Sequence, residues 1–255
     1  MTIRGVLFDL GGTLLHYKAV GSTWEEMEKS GMRSDYRHLR QAGYQLPPEA
    51  EALDAAWEFL FQLWNTVDRR EVKTLTVQYQ IEELLRSRWG INAPSAHLIE
   101  DLSLSYIRTI QAIVSPLDGA TSMLQILRSQ GLKIGLISNT LWPEQYHRQD
   151  LERHGLITYL DHLIFSADAA AWKPHQQVFE MGLSALGLRP EEAVFVGDSL
   201  YFDVWGAQQV GLRGVWIEQD QRWLPDGIEV TPDAEIRRLP DLPGIIQTWQ
   251  AELTR

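Results

Sequence analysis

Val6-Leu7-Phe8-Asp9-Leu10-Gly11-Gly12-Thr13-Leu14-Leu15 is the stretch on which the reading of the fold turns. An apolar run ends on one aspartate, and two glycines and a threonine follow at once. Such a run, bounded by glycine, reads as an interior strand breaking into a tight loop. An acid at that strand end stands on the sheet edge where open α/β folds bind ligands. Taken alone, Asp9 serves equally well as the cap of a turn. Its partners further along the chain separate the two readings.

From Pro116 onward the sequence repeats the texture of the opening stretch. Apolar segments at Lys133–Ile137, His162–Phe165, Ala193–Val196 and Gly214–Ile217 alternate with helical ones. The helical segments are Ala120–Gln130, Pro143–His154, Pro174–Leu186 and Phe202–Val210, and a glycine closes each of them. Strands alternating with helices of this length predict right-handed βαβ units and a parallel sheet. The strand at 3–10 belongs to that sheet, since it has no other strand to pair with. Residues 219–241, rich in Pro and Asp, predict a surface segment before a last helix near Ile245–Leu253.

Between the first strand and Pro116 the periodicity is helical throughout. Ser22 and Thr23 each have Glu three residues on, the capping-box pattern, and Gly43 can end the helix they open. Pro47-Pro48-Glu49 opens a second helix whose Ala52, Ala56, Phe59, Leu60, Leu63 and Trp64 share one face. Leu75–Trp89 continues the pattern through Ile81, Leu84 and Leu85, and Ser95–Ile113 through Leu98, Leu102, Tyr106 and Ile110. Trp24, Trp57, Trp64 and Trp89 are expected to pack inside this block, and Arg33, Arg37 and Arg40 to line a solvated face. The expected organisation is an α/β Rossmann-like core formed by 1–16 plus 115–255, with a helical domain of 17–114 inserted in it.

Composition narrows the partners. The 255 residues are 44% hydrophobic, carry a net charge of −11 and include no cysteine. The acidity argues against nucleic-acid and anionic-membrane partners. The absence of cysteine excludes disulfides, thiolate metal sites and a cysteine nucleophile. Met1-Thr2-Ile3-Arg4 leads directly into a core strand, and no apolar stretch reaches the roughly 18 residues of a membrane span. A cytoplasmic location is expected, and the sequence does not specify an oligomeric state.

The polar residues of the strands collect at their C-terminal ends: Asp9, then Ser138-Asn139-Thr140, then Gly197-Asp198-Ser199. Lys173-Pro174 sits where a loop meets a helix. In a parallel sheet these ends lie on one edge, so carboxylates, a hydroxyl and an ammonium can converge. Adjacent carboxylates stay ionised only around a cation, and an oxygen-only donor set favours Mg²⁺. Lys173, Ser138 and the backbone N–H groups around Gly11 and Gly12 could then hold phosphate oxygens. An ionised Asp beside them is a candidate nucleophile.

Four segments in order resemble the motifs of the haloacid dehalogenase (HAD) superfamily. They are Phe8-Asp9-Leu10-Gly11-Gly12-Thr13, Leu136-Ile137-Ser138-Asn139, Lys173-Pro174, and Val196-Gly197-Asp198-Ser199-Leu200-Tyr201-Phe202-Asp203. The resemblance implies a HAD-like Rossmannoid core with a helical C1-type cap at 17–114. It implies that Asp9 is the nucleophile that becomes an aspartyl-phosphate and a Mg²⁺ ligand, together with Asp198 and the backbone carbonyl of Gly11. By the same resemblance Gly12, Thr13, Ser138, Asn139 and Lys173 bind the phosphoryl group of a small phosphorylated metabolite, and Asp203 supports the metal site.

The departure is Gly11. In most phosphatases of the superfamily this position is an Asp that protonates the leaving oxygen. General acid catalysis is worth roughly 10²–10⁴-fold, so its loss weighs most on poor leaving groups. Several expectations compete: a phosphatase with weak activity or activated substrates, a metal-free dehalogenase, a phosphonate hydrolase using a cap lysine, or a phosphate-binding protein without turnover. Gly197-Asp198, generally lost in haloacid dehalogenases, favours the Mg²⁺-dependent phosphatase. Lys18, Lys29 and Lys73 are the only lysines in 17–114, and none lies in a recognisable motif. His16, seven residues after Asp9, is a candidate replacement acid. Trp142, Trp172 and Trp205 neighbour the motifs as core or pocket walls, and Glu144 and His147 are expected on an exposed helix face.

Overall fold

The computed structural model describes residues 2–19, 21–66, 75–169, 171–218 and 223–252. The chain divides into two compact units, one of residues 1–16 and 115–255, the other of 17–114.

The first unit is built on a six-stranded parallel sheet of β1 (Gly5–Phe8), β4 (Lys133–Ser138), β5 (His162–Phe165), β6 (Ala193–Gly197), β7 (Arg213–Ile217) and β8 (Ala234–Ile236). Their spatial order is β5-β4-β1-β6-β7-β8, which places β1 between β4 and β6. Flanked on both sides, β1 is buried along its whole length, as its unbroken Gly-Val-Leu-Phe run requires. Phe8 pairs with Leu136 and with Val196. Asp9, Ser138 and Asp198 therefore all emerge within two residues of the last paired positions, on the same edge of the sheet. This is the parallel α/β architecture expected from the alternating pattern.

Helices α5 (Ala120–Ser129), α6 (Glu144–Arg153), α7 (Ser166–Ala169), α8 (Gln176–Leu186), α9 (Gly206–Gln209) and α10 (Leu242–Glu252) complete this unit. Val178, Phe179, Leu183 and Leu186 of α8 form one core cluster with Leu7, Ile137 and Phe195 of the sheet. Gly182 makes that approach possible, because a Cβ there would stand 2.8 Å from Ile137. Ahead of α9, Leu200–Trp205 forms a π-helical turn, where the sequence predicted ordinary helix from Phe202.

Two further features of this unit depart from the sequence expectation. Leu15–His16 (β2) and Ser115–Pro116 (β3) pair as a short antiparallel ribbon, just before the chain enters residues 17–114 and just after it leaves them. Each strand has two residues, too few for any alternation to show. The segment 219–241 is not wholly surface chain: Ala234–Ile236 adds to the sheet beside β7. Part of that segment, 219–222, and Leu253 of the expected last helix lie outside the described residues.

The second unit is helical: α1 (Trp24–Gln41), α2 (Glu49–Thr66), α3 (Val77–Ser87) and α4 (Ala96–Gln111). Thr23 caps α1 in a complete capping box with Glu26, and Thr76 and Ser95 cap α3 and α4. Met32, Leu39, Leu60, Leu85 and Leu102 are fully buried. Trp89 is buried and donates its indole N–H to the Ala52 carbonyl, whereas Trp24 is 49% exposed and does not pack inside the unit as expected. Arg33 binds Glu49 at 2.9 Å. Among the described residues, no helix is long and apolar enough to cross a membrane.

Candidate active site

Asp9 follows β1 directly, and its backbone N–H donates to the Val196 carbonyl at 2.9 Å, which anchors the strand end against β6. The chain then turns back on itself: the N–H groups of Thr13, Leu14 and Leu15 all donate to the Leu10 carbonyl. Gly12 makes this turn possible with φ +80°, a conformation that costs a side-chain-bearing residue roughly 1–2 kcal/mol. It also lies against Asp198, because a Cβ at Gly12 would come within 2.2 Å of Asp198 Oδ2. The glycine is thus required twice, by its backbone angle and by the carboxylate beside it.

Three carboxylates converge here. Asp9, Asp198 and Asp203 offer oxygen atoms that all lie within 4.8 Å of one another. Lys173 Nζ is 2.6 Å from Asp9 Oδ1 and 2.6 Å from Asp203 Oδ1. It also stands 5.2 Å from the centre of the Phe195 ring, whose face favours a cation. Lys173 is 2% exposed and Asp203 1%. Burial alone would lower the lysine pKa, but the charges of Asp203 and Asp9 outweigh it and hold the ammonium above its ordinary range. Asp203 is pushed up to about 6 by burial and by the Asp9 charge, against the pull of Lys173. Asp198 rises well above the ordinary carboxylate range through burial, Asp9 and Asp203.

These shifts have one origin. Three carboxylates around one ammonium leave an excess of negative charge in a poorly solvated place. A dication among their oxygens would relieve it, and the all-oxygen donor set suits Mg²⁺. The residues present therefore fit the expected cofactor.

The remaining expected site residues divide. Ser138 is buried at the end of β4. Thr13 is fully buried, and its hydroxyl has no hydrogen-bond partner among the described residues, so it can serve a ligand oxygen. The Gly12 N–H, expected to face phosphate, instead donates to the Leu15 carbonyl at 2.9 Å. Gly12 therefore acts through its shape. Asn139 is also committed elsewhere. Its Oδ1 accepts the Lys173 N–H at 2.8 Å, and its Nδ2 donates to the Lys173 carbonyl at 2.9 Å. This two-bond clamp uses the side-chain amide to hold the lysine backbone, so that amide is not available to phosphate. Asp203 also closes the loop, its Oδ2 accepting the Ser199 N–H at 2.9 Å.

Gly11 bridges to Leu15 at the neck of the turn, and His16 lies half-buried in β2, its backbone paired with Ser115 of β3. Lys29 is bound by Glu25 and Asp54, each at 2.6 Å, while Lys73 lies outside the described residues. Trp142 and Trp172 are buried, and Trp205 is half-buried against Tyr201. His147, expected on an exposed face, is buried. The missed signal was periodic: His147 and Leu151 are four apart, so the imidazole shares the buried face of α6.

A sequence profile of haloacid dehalogenase-like hydrolases matches residues 3–211, spanning all of these side chains. The chain belongs to that family. This hydrolase is 27% identical over 247 residues to the glyceraldehyde 3-phosphate phosphatase of Methanopyrus kandleri, covering 96% of this chain and 97% of the relative. It is 34% identical over 171 residues to the pyrimidine 5'-nucleotidase YjjG of Escherichia coli, covering 66% and 72% of the two chains. The crystal structure of a HAD phosphatase from Thermococcus onnurineus superposes with a TM-score of 0.64 at 28% identity, covering 96% of this chain and 98% of the other.

Proposed function

We propose that this hydrolase is a Mg²⁺-dependent phosphatase that works through an aspartyl-phosphate on Asp9, with residues 17–114 as a helical C1-type cap. The observation that carries the reading is the three-carboxylate cluster around the single Lys173 ammonium. Asp9, Asp198 and the Gly11 carbonyl would hold the ion, with Asp203 in support. Bound there, Mg²⁺ supplies Lewis-acid stabilisation of phosphoryl oxygens. Its phosphatase-named relatives make a small phosphorylated metabolite the natural substrate class.

In this reading a carboxylate oxygen of Asp9 attacks phosphorus in line. Lys173 fixes the other side of that carboxylate and, with the Ser138 and Thr13 hydroxyls, steadies the phosphoryl oxygens. The bond from phosphorus to the ester oxygen breaks, and the leaving group departs with the electron pair. Water then attacks the aspartyl-phosphate, releasing inorganic phosphate and restoring the Asp9 carboxylate. Gly11 has no side chain to protonate the departing oxygen. Activity is therefore weak or confined to activated esters unless another donor, for which His16 is the candidate, takes over. Alkyl phosphates lose up to the roughly 10²–10⁴-fold that a general acid supplies.

The test is hydrolysis of an aryl phosphate and of an acyl phosphate with and without Mg²⁺. Metal-dependent release of phosphate from both is expected. Release of halide from 2-chloropropionate with no phosphate release would replace this reading by a dehalogenase. Tight phosphate binding with no turnover would replace it by a binding protein.

A further inference from the structure

A buried histidine that takes no part in the chemistry above is hydrogen-bonded to Thr140, the residue that follows Asn139 in the chain. His147 of α6 is 4% exposed and lies between two aromatic rings. Trp142 stacks at 5.3 Å with an interplanar angle of 12°, and Phe165 at 4.8 Å and 14°. Burial lowers the imidazole pKa to about 3, so the ring is neutral over the working pH range and offers one donor and one acceptor. Its Nε2 is 2.7 Å from Thr140 Oγ1.

Thr140 is held at every polar atom. Its Oγ1 also accepts the Trp142 N–H at 3.0 Å, its own N–H donates to Ser166 Oγ at 2.8 Å, and its carbonyl accepts the Ser166 hydroxyl at 2.9 Å. The preceding residue is Asn139, whose amide clamps the Lys173 backbone, and Lys173 then reaches Asp9 and Asp203. A buried imidazole needs a polar partner in any case, and a partner elsewhere would leave the loop after β4 untouched. This one is bonded to the residue next to the clamp.

We propose that His147 and Thr140 are positioning residues: they fix the loop after β4, so that Asn139 holds Lys173 where its ammonium bridges Asp9 and Asp203. The kinetic part of this inference rests on the phosphatase reading, and the structural part does not. The cost of losing it is geometric, because a displacement of about 1 Å in a catalytic group can cost around 10²-fold.

Three variants test it. Thr140→Val keeps the shape and removes the hydroxyl. His147→Phe keeps a ring between Trp142 and Phe165 and removes the nitrogens. Thr140→Ser keeps the hydroxyl. Thr140→Val and His147→Phe are expected to lower kcat on an aryl phosphate by about 10- to 100-fold with little change in KM. Thr140→Ser should restore most of that loss. The Thr140→Val/His147→Phe double variant should be no worse than Thr140→Val alone, because that variant already breaks the bond that His147→Phe removes. In a crystal structure of either single variant, the Lys173–Asp9 contact of 2.6 Å should lengthen. Wild-type kcat in both single variants, losses that multiply in the double variant, or an unmoved Lys173 would each overturn the proposal. If the wild-type protein hydrolyses no phosphate ester, the phosphatase reading fails, and the crystallographic separation still decides this one. Should His147→Phe fail to fold, Thr140→Val still removes the same bond, together with the one from the Trp142 N–H, and Thr140→Ser is its control.

Discussion

The Lys173 ammonium lies 2.6 Å from the Asp9 carboxylate, and only 2% of the lysine and 7% of the aspartate is exposed. Breaking a buried pair by removing one partner leaves an uncompensated charge and costs about 3–5 kcal/mol. Lys173→Met should therefore lower thermal stability at neutral pH and reduce kcat by about 10²–10³-fold, the usual scale for losing one electrostatic donor. Lys173→Arg should not rescue activity, since the larger planar guanidinium must fit a slot already closed by Asp9, Asp203 and the Phe195 ring. Melting curves and phosphate-release rates for the two variants check this.

Asp198 and Asp203 make the metal-free protein sensitive to pH. A carboxyl whose pKa is raised on folding stabilises most while protonated, so its contribution is complete below about 4 and falls as pH rises through the folded value. For Asp203 that value is about 6, and Asp198 acts in the same sense. Metal-free protein should therefore lose stability between about pH 4 and 6. Mg²⁺ at 100 times its Kd should restore about 2.7 kcal/mol at pH 7.5. Asp198→Asn should be more stable than wild type without Mg²⁺ and gain little from adding it. Thermal melts in EDTA and in Mg²⁺ read both effects.

Gly12 should tolerate no side chain. Its φ of +80° and the 2.2 Å approach of Asp198 Oδ2 to a would-be Cβ make Gly12→Ala strained and displace a proposed metal ligand. The variant should lose roughly 1–2 kcal/mol from the backbone alone, and weaken Mg²⁺ binding in calorimetric titration. Gly11→Asp makes the opposite change, adding a carboxyl where the proposed phosphatase mechanism lacks a proton donor. Its gain should be largest on alkyl phosphates and smallest on aryl ones, measured as the ratio of kcat/KM.

The helical unit carries its own pH dependence. Glu28 of α1 is buried and accepts the Tyr106 hydroxyl, and burial raises its pKa to about 7 despite that bond. Glu28 is protonated in the folded state and ionised in the unfolded state between about pH 4.5 and 7, so stability falls as pH rises across that range. Glu28→Gln should match wild type near pH 4 and exceed it above pH 7, by of order 3 kcal/mol. Urea melts at the two pH values separate the outcomes.

Much of this architecture was legible because it is local. The β1 run, the strand–helix alternation and the clustering of Asp9, Ser138 and Asp198 at strand ends all follow from patterns a few residues long. What escaped depends on contacts between distant segments. The β2–β3 ribbon joins Leu15–His16 to Ser115–Pro116, and neither pair of residues announces a strand. Ala234–Ile236 is a strand because β7 offers it an edge, which its Pro- and Asp-rich surroundings conceal. The family resemblance makes Asn139 a phosphate ligand. Its amide is spent on Lys173, 34 positions away, and only the fold brings those two backbones together. His147 was legible in principle from its spacing to Leu151, but its bond to Thr140 was not.

The central claim is that Asp9 takes the phosphoryl group, and trapping that intermediate tests it most directly. Mg²⁺-loaded protein would be mixed with acetyl phosphate, quenched in acid within the first turnover and mapped by peptide mass spectrometry. A phosphoryl adduct on the peptide containing Asp9, absent from Asp9→Ala, is the predicted result. Phosphate release that persists in Asp9→Ala, or an adduct on any other residue, would contradict the account.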